Sequence, residues 1–166
     1  MFFADKIILV EGTTERLLLP KMIEKVDSIM GNTDSPLAHS YISLIEVGGA
    51  YAFKFRELLQ FLGVPTLVIT DIDSVDPSNS NQKCRTSIGD AVTSNTTLKG
   101  WLPKCTKIAD LLDENTLETQ LESNNVRVCY QVPEEDGTLV GRSFEEAFIL
   151  ANAKILEEQA SKTSHA

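Results

Sequence analysis

A short apolar run that ends in two carboxylates constrains this chain more than any other feature of its sequence. Residues 64–76 read Val-Pro-Thr-Leu-Val-Ile-Thr-Asp-Ile-Asp-Ser-Val-Asp, so that Asp71 and Asp73 follow directly on the apolar segment. A β-branched run of this kind is typical of a central strand in a buried parallel sheet. Because open α/β sheets bind ligands at the carboxyl ends of their strands, we expect the two acids at a functional edge.

The spacing of these two aspartates predicts a metal site. Side chains two residues apart on an extended strand point the same way. Two anions directed at one point repel unless a cation or a shared proton lies between them. A divalent cation that prefers oxygen ligands, Mg²⁺ or Mn²⁺, is the simplest partner for Asp71 and Asp73.

The remaining elements predict an α/β fold, a mainly parallel sheet flanked by helices. Strand, helix, strand, helix and strand follow each other within the first 70 or so residues, which indicates two βαβ units. The expected strands are 6–11, 41–47, the segment opened by Pro65, and 126–132; the expected helices are 13–30, capped by Thr13, 50–62, and one capped by Ser143. The first helix is expected to bury an apolar face in spite of Pro20; this face is Leu17, Leu18, Leu19, Met22, Ile23, Val26 and Ile29.

The character of the chain changes after the third strand. Residues 74–125 are rich in Ser, Asn, Thr and Asp, which predicts an irregular insertion in an otherwise single domain of residues 1–166. A functional loop and a mobile excursion are equally good interpretations, and a helix is expected near 107–123. The polar tail, from about residue 154, is expected to fray.

Composition narrows the classes of function. The net charge of −9 argues against a broad basic surface for phosphates, yet it does not exclude nucleic acid, because bound metal would neutralise a carboxylate cluster. No apolar run approaches the ~18 residues of a membrane span, and the start lacks the pattern of a signal peptide. The cysteines, Cys84, Cys105 and Cys129, lack metal spacing and predict reduced thiols in the cytoplasm.

Further acids are expected at the same edge of the sheet. Glu11 ends the first strand and is followed by Gly12, which leaves the backbone open to a ligand, and Glu15 lies one helical turn inward. The helix start at Gly12 and Thr13 would favour phosphate. The alternative is that the two glutamates simply complement the helix dipole.

A third acidic pair, Glu145 and Glu146, lies in the first turn of the last helix. Taken alone, Glu146 is better explained as a capping residue than as a metal ligand, because it stands at the third helical position after Ser143.

Two segments together resemble a known family. Ile-Ile-Leu-Val-Glu11-Gly-Thr-Thr-Glu15 followed by Leu-Val-Ile-Thr-Asp71-Ile-Asp73 resembles the Toprim domain of topoisomerases, primases and related nucleases. The Leu-Leu-Leu-Pro20 after the first motif and Gly-Arg142-Ser-Phe-Glu145 are more specifically similar to the overcoming-lysogenization-defect (OLD) family of nucleases. The similarity covers most of 6–73 and then 126–152.

The resemblance implies a Toprim-type Rossmann-like domain that cleaves or nicks DNA as a two-metal endonuclease with Mg²⁺ or Mn²⁺, in the setting of phage defence. Matched residue by residue, its metal ligands would be Glu11, Glu15, Asp71, Asp73 and Glu145, with Glu11, Asp71 and Asp73 catalytic. Arg142 would contact phosphate or hold Glu145, which fits the family's Arg-x-x-Glu pattern better than Glu146.

Two departures from the family bear on its partners. OLD proteins carry an ATPase domain, whereas this sequence has no Gly-x-x-x-x-Gly-Lys-Ser/Thr motif, so an ATPase domain or subunit is expected elsewhere. The family's late catalytic lysine has no clear counterpart, although Lys154 and Lys162 lie in the right direction. Self-association through a region outside this chain is a further expectation.

Two alternative functions stay open at this level. A haloacid-dehalogenase-like phosphatase would use Asp71 as nucleophile and Asp73 as acid, but that family carries the motif on its first strand. A non-catalytic interaction module would need no metal, and the acidic charge and missing lysine are compatible with it.

Overall fold

Four strands, all parallel, form the central sheet. The computed structural model describes residues 3–31, 36–48, 51–113, 116, 125–133 and 139–157. The first part of the chain forms β1 (Lys6–Val10), α1 (Thr13–Met30), β2 (Ile42–Glu46), a 3₁₀ turn (Ala52–Phe55), α2 (Arg56–Leu62) and β3 (Thr66–Ile69). The remainder forms β4 (Ser74–Asp76), β5 (Gln82–Lys83), β6 (Val92–Thr93), α3 (Thr96–Trp101), α4 (Ile108–Leu111), β7 (Val126–Cys129) and α5 (Phe144–Ala151).

The strand order brings the two acidic motifs side by side. The sheet runs β2-β1-β3-β7, so β1 and β3 are neighbours at its centre. Leu9 on β1 lies opposite Val68 on β3, and the residues that follow the two strands therefore meet at one carboxyl edge. The predicted α/β class with a mainly parallel sheet is confirmed.

One face of this sheet carries the hydrophobic core. Leu9 and Val68 are fully buried, as is Leu59 of α2, and alternate residues of β7 lie in the same cluster. Residues two apart on a strand share a face, which explains why Ile7 accompanies Leu9 and why Val126 accompanies Val128.

Residues 74–113 of the insertion pack into the core, so the interpretation of this part as a mobile excursion is wrong. Residues 74–93 form a second, antiparallel sheet in the order β5-β4-β6, and α3 and α4 follow. Leu98 and Leu111 are fully buried and Ile108 is 2% exposed, all within the main cluster. These apolar residues stand singly in a polar segment. They reach the core without the apolar periodicity that reveals longer elements in a sequence. Of the predicted helix at 107–123, the structure has α4, while residues 114–115 and 117–124 lie outside the described ranges.

The first helix differs from its prediction in cap and in burial. Its N-cap is Gly12, not Thr13, and Pro20 lies inside the helix without ending it. The predicted apolar face is only partly covered within this chain, since Leu17 is 70% and Ile29 72% exposed, whereas Leu18, Leu19, Met22 and Ile23 are half-buried. Only Glu15 is fully buried on this helix.

Smaller differences concern element ends. The predicted helix at 50–62 begins as the 3₁₀ turn and becomes α-helical only at Arg56, and residues 49–50 lie outside the described ranges. The fourth predicted strand ends at Cys129, not at residue 132. Ser143 caps α5 as expected, because its hydroxyl accepts a hydrogen bond from the Glu146 amide. Residues 158–166 of the predicted tail are not described. No helix in the described ranges is long and apolar enough to cross a membrane.

The burial of the insertion gives a stability prediction. Leu98→Ala should lower the free energy of unfolding by about 2–5 kcal/mol, the usual cost of a core leucine-to-alanine change, with one cooperative transition in urea followed by circular dichroism. Leu17→Ala, on an exposed position of α1, is the control and should change the value by no more than about 0.5 kcal/mol. A Leu98→Ala protein as stable as the wild type would contradict a shared core.

Candidate active site

The carboxyl ends of β1 and β3 form the floor of the candidate site. Glu11 follows β1 and Thr70 follows β3, and the Thr70 hydroxyl donates a hydrogen bond to Glu11 Oε1. In the parallel register Leu9 lies opposite Val68, and Glu11 and Thr70 each follow two residues later, which explains this contact. The acids that are 60 residues apart in sequence, Glu11 and Asp71, are thereby brought together, as the sequence predicted.

The hydrogen bonds that Glu11 receives from described residues all end on one oxygen. Oε1 accepts from the Thr70 hydroxyl, from Asn95 Nδ2 at 2.9 Å and, more weakly, from the Asp71 amide at 3.4 Å. Its other oxygen, Oε2, accepts none from the described residues. The carboxylate is therefore held from the protein side with one oxygen left over for a ligand.

Asp71 shows the same arrangement. Its Oδ1 accepts from Gln131 Nε2 at 2.7 Å and from the Phe144 amide, at the start of α5, at 2.8 Å. Gln131 is itself fixed, because its Oε1 accepts from the Ile72 amide at 2.8 Å. Oδ2 of Asp71 has no such partner in the described part of the chain.

The surroundings of Asp71 raise its pKa from the ordinary 3.8 to about 7. Burial of the carboxyl is the largest cause, and the negative charges of Glu11 and Asp73 add to it. The bonds from Gln131 and Phe144 act in the opposite direction and are outweighed. A cation at this point would remove the repulsion.

Asp73 is not on an extended strand, which corrects the premise of its prediction. β3 ends at Ile69, and Asp73 adopts a left-handed conformation with φ of +50°. The turn is secured from both sides, since the Asp73 amide donates to the Arg142 carbonyl and its carbonyl accepts from the Ser94 amide, each at 3.0 Å. The Asp73 carboxylate nevertheless lies close enough to Asp71 to raise its pKa.

Glu15 turns back toward the strand end, as predicted. It is only 5% exposed, and a Cβ added to Gly12 would lie 3.0 Å from Glu15 Oε2. Gly12 therefore makes room for this carboxylate. Thr13, predicted to favour phosphate, has its hydroxyl directed to the carboxylate of Glu46, the last residue of β2, at 3.2 and 3.3 Å.

The two glutamates in the first turn of α5 have different surroundings. Glu146 Oε2 accepts from the Arg142 amide at 2.8 Å, a capping role. Glu145 is exposed, and its pKa is lowered by hydrogen bonds, chiefly from its own amide and also from Ser143 and Thr14. The contact with Thr14 puts Glu145 beside the first turn of α1.

Arg142 lies beside the aspartate turn. Its Nη2 is 3.5 Å from Asp73 Oδ1 and 3.5 Å from the Ser74 carbonyl, and one-fifth of the side chain is exposed. Its Nε is buried without a hydrogen-bond partner in the described residues. The guanidinium thus keeps unused donor capacity at the site.

Neither candidate for the late catalytic lysine is assigned to the site. Lys154 is exposed after α5, and Lys162 is outside the described ranges.

The donors at this edge fit a divalent cation by chemistry and charge. All five predicted ligands are carboxylates, which are the preferred ligands of Mg²⁺ and Mn²⁺, and the neighbouring charges of Glu11 and Asp73 add to burial in raising the pKa of Asp71. Among the residues described, no three Asp, Glu, His or Cys side chains are already arranged closely enough to hold an ion. The carboxylates would have to close around a cation.

Three polar residues of the site escaped prediction, namely Thr70, Asn95 and Gln131. Thr70 stands directly before Asp71, and its position in the motif was the available signal. Asn95 lies 84 residues from Glu11 along the chain, and Gln131 lies 60 from Asp71, so neither is adjacent to an acidic motif. Their roles follow only from the three-dimensional packing.

Comparison with known proteins agrees with the resemblance drawn from the sequence. Residues 2–73 match the family model "Overcoming lysogenization defect protein-like, TOPRIM domain". Over 156 residues the chain is 35% identical to Endonuclease GajA of Bacillus cereus (strain HuB5-5), covering 93% of this chain and 21% of that protein. The chain thus spans about a fifth of the length of the curated relative it matches. No solved structure gave a significant match. The recognition of a Toprim domain of OLD type is confirmed.

The raised pKa of Asp71 predicts a pH effect on stability in EDTA. Because the folded state binds the Asp71 proton up to pH about 7 and the unfolded state only up to about 3.8, this group contributes less stability as pH rises between them. Asp71→Asn keeps the shape of the side chain and removes its negative charge. The melting temperature of this variant should therefore rise relative to that of the wild type between pH 4 and pH 7.

Asp76→Asn provides the control. The pKa of Asp76 is lowered from 3.8 by bonds from Ser78, so its contribution to stability changes only below that pH, and the melting-temperature difference between this variant and the wild type should stay constant from pH 4 to pH 7. A melting-temperature difference for Asp71→Asn that is independent of pH would contradict the raised pKa.

Proposed function

Residues 2–73 belong to the OLD-like TOPRIM domain family, and we propose that the chain is the catalytic domain of a divalent-metal-dependent DNA endonuclease. One observation carries the proposal. Glu11 and Asp71 come from neighbouring strands, and each has one oxygen held by protein donors and one oxygen without a partner in the described residues. This pairing suits carboxylates whose free oxygens face a cation.

The proposed ligands of Mg²⁺ or Mn²⁺ centre on Glu11 and Asp71. Glu15, buried over Gly12, and Asp73 complete the set on one side, and Glu145 does so from α5. Five carboxylates are enough for the two ions that the family resemblance implies. When bound, such ions supply the positive charge that stabilises both the attacking and the leaving oxygen of a phosphodiester.

The chain's own residues orient and neutralise this site. Gln131 and the Phe144 amide hold Asp71 Oδ1, while the raised pKa means that a proton competes with any cation for this carboxyl below pH about 7. We propose that Arg142, whose guanidinium lies beside Asp73 and whose side chain is one-fifth exposed, donates to a phosphate oxygen. We assign it this contact.

The partners follow from the family and from the charge. DNA is the proposed substrate, and the net charge of −9 requires that cations at the site offset part of the repulsion. The relative is about five times longer than this chain, and we propose that an ATPase domain or subunit, and self-association, belong to the functional assembly. All three cysteines are free, which supports a reducing, cytoplasmic setting.

The two alternative functions have less support. The aspartate motif follows the third strand of the chain, not the first as in haloacid-dehalogenase-like phosphatases. A purely structural module would not require a buried aspartate whose carboxyl pKa is raised to about 7.

Cleavage of supercoiled plasmid tests the proposal. With Mg²⁺ or Mn²⁺, but not with EDTA, the chain should convert plasmid to nicked or linear product. Glu11→Gln and Asp71→Asn should each lower the rate by roughly a hundredfold or more, the size associated with losing one electrostatic contact in an active site.

Glu46→Gln is the matched control for this assay. Glu46 is the last residue of β2, but it pairs with Thr13 and Arg16 and lies outside the proposed ligand set. Its variant should cleave like the wild type. Equal activity in Glu11→Gln, Asp71→Asn and the wild type would overturn the assignment, and an aspartyl-phosphate trapped on Asp71 would favour the phosphatase.

A further inference from the structure

A buried asparagine links the insertion to Glu11. Asn95 lies between β6 and α3, and it is 2% exposed. Its Nδ2 donates to Glu11 Oε1 and to Thr70 Oγ1, each at 2.9 Å. Asn95 belongs to none of the predicted metal-ligand motifs. A polar amide is also not needed to fill the hydrophobic core.

The orientation of the Asn95 amide is fixed by its own helix. Its Oδ1 accepts from the Thr97 and Leu98 amides, at 2.8 and 3.1 Å, and so caps α3. A flipped amide would turn the NH₂ group toward these two donors and the oxygen toward the Glu11 carboxylate. The cap therefore directs the NH₂ group at Glu11.

The neighbours of Asn95 fasten the same segment to the aspartate turn. Thr93 Oγ1 donates to the Ile72 carbonyl at 2.6 Å and accepts from the Asn95 amide at 3.0 Å. The Ser94 amide and hydroxyl both donate to the Asp73 carbonyl, at 3.0 and 2.9 Å. Three consecutive residues of the insertion thus contact both acidic motifs.

We propose that Asn95 is a positioning residue that holds Glu11 so that Oε2 faces the metal. The inference rests on the proposed function, because it assumes that Glu11 is a metal ligand. Its basis is the convergence of the Asn95 and Thr70 donors on Oε1 alone. Partners that orient a ligating carboxylate are worth roughly 10–100-fold in metal affinity or activity. The insertion is then a working part of the site, through one amide group.

Two substitutions separate positioning from capping. Asn95→Ser keeps a hydroxyl that can cap α3 but loses the donor to Glu11, whereas Asn95→Gly loses both, although glycine is tolerated at an N-cap. A positioning role predicts that both variants weaken Mn²⁺ binding alike, by roughly 10–100-fold. A role in capping alone predicts that only the melting temperature in EDTA falls, and more for glycine than for serine.

The experiment is a Mn²⁺ titration followed by electron paramagnetic resonance, which counts the free ion, beside melting temperatures in EDTA. Asn125→Ser is the matched control. It removes another asparagine Nδ2 donor, to the Gly63 carbonyl at 2.9 Å, at the opposite end of the sheet, and it should leave Mn²⁺ affinity unchanged whatever it does to stability.

The outcomes distinguish the two proposals. Wild-type binding that is lost in Glu11→Gln and weakened in both Asn95 variants supports the positioning role. Wild-type binding that is lost in Glu11→Gln but unchanged in a folded Asn95 variant overturns the role of Asn95 alone. Wild-type protein that binds no Mn²⁺, or binds it equally with Glu11→Gln, overturns the metal site and the positioning role with it.

Discussion

Burial and mutual repulsion of carboxylates at adjoining strand ends are the constraint on which this structure depends. The pairing of β1 with β3 brings Glu11 beside Asp71, and the turn that follows adds Asp73. Burial of the Asp71 carboxyl, and to a smaller extent the charges of Glu11 and Asp73, raise its pKa to about 7. Such a cost in stability is typical of functional sites, where a ligand later compensates it.

The rest of the chain limits this repulsion without abolishing it. Donors from four separate segments, Thr70, Asn95, Gln131 and the start of α5, each bond the inward oxygen of an acid. The other oxygens of the two acids, Glu11 Oε2 and Asp71 Oδ2, receive no comparable hydrogen bond from the described residues. These hydrogen bonds orient the carboxylates of Glu11 and Asp71 but do not neutralise their charge. They come from the strand end itself, from the buried insertion, from the segment after β7 and from the last helix.

The sequence predicted the features that depend on residues close together in the chain. The apolar runs before Glu11 and Asp71 specified strands, and strand ends specified the edge where the acids meet. The left-handed turn at Asp73 and the bonds of Asn95 and Gln131 were not predictable, because they depend on partners distant in the chain. The exposed apolar positions of α1, such as Leu17, show the reverse case, since helical periodicity reports an apolar face but not what covers it.

Whether these carboxylates form a divalent-cation site can be seen in crystals of the chain soaked in Mn²⁺, with diffraction measured at the manganese absorption edge. We expect an anomalous peak bounded by Glu11 Oε2 and Asp71 Oδ2, lost in Asp71→Asn crystals. No peak at this edge of the sheet under saturating Mn²⁺, or one held only by other residues, would contradict this expectation.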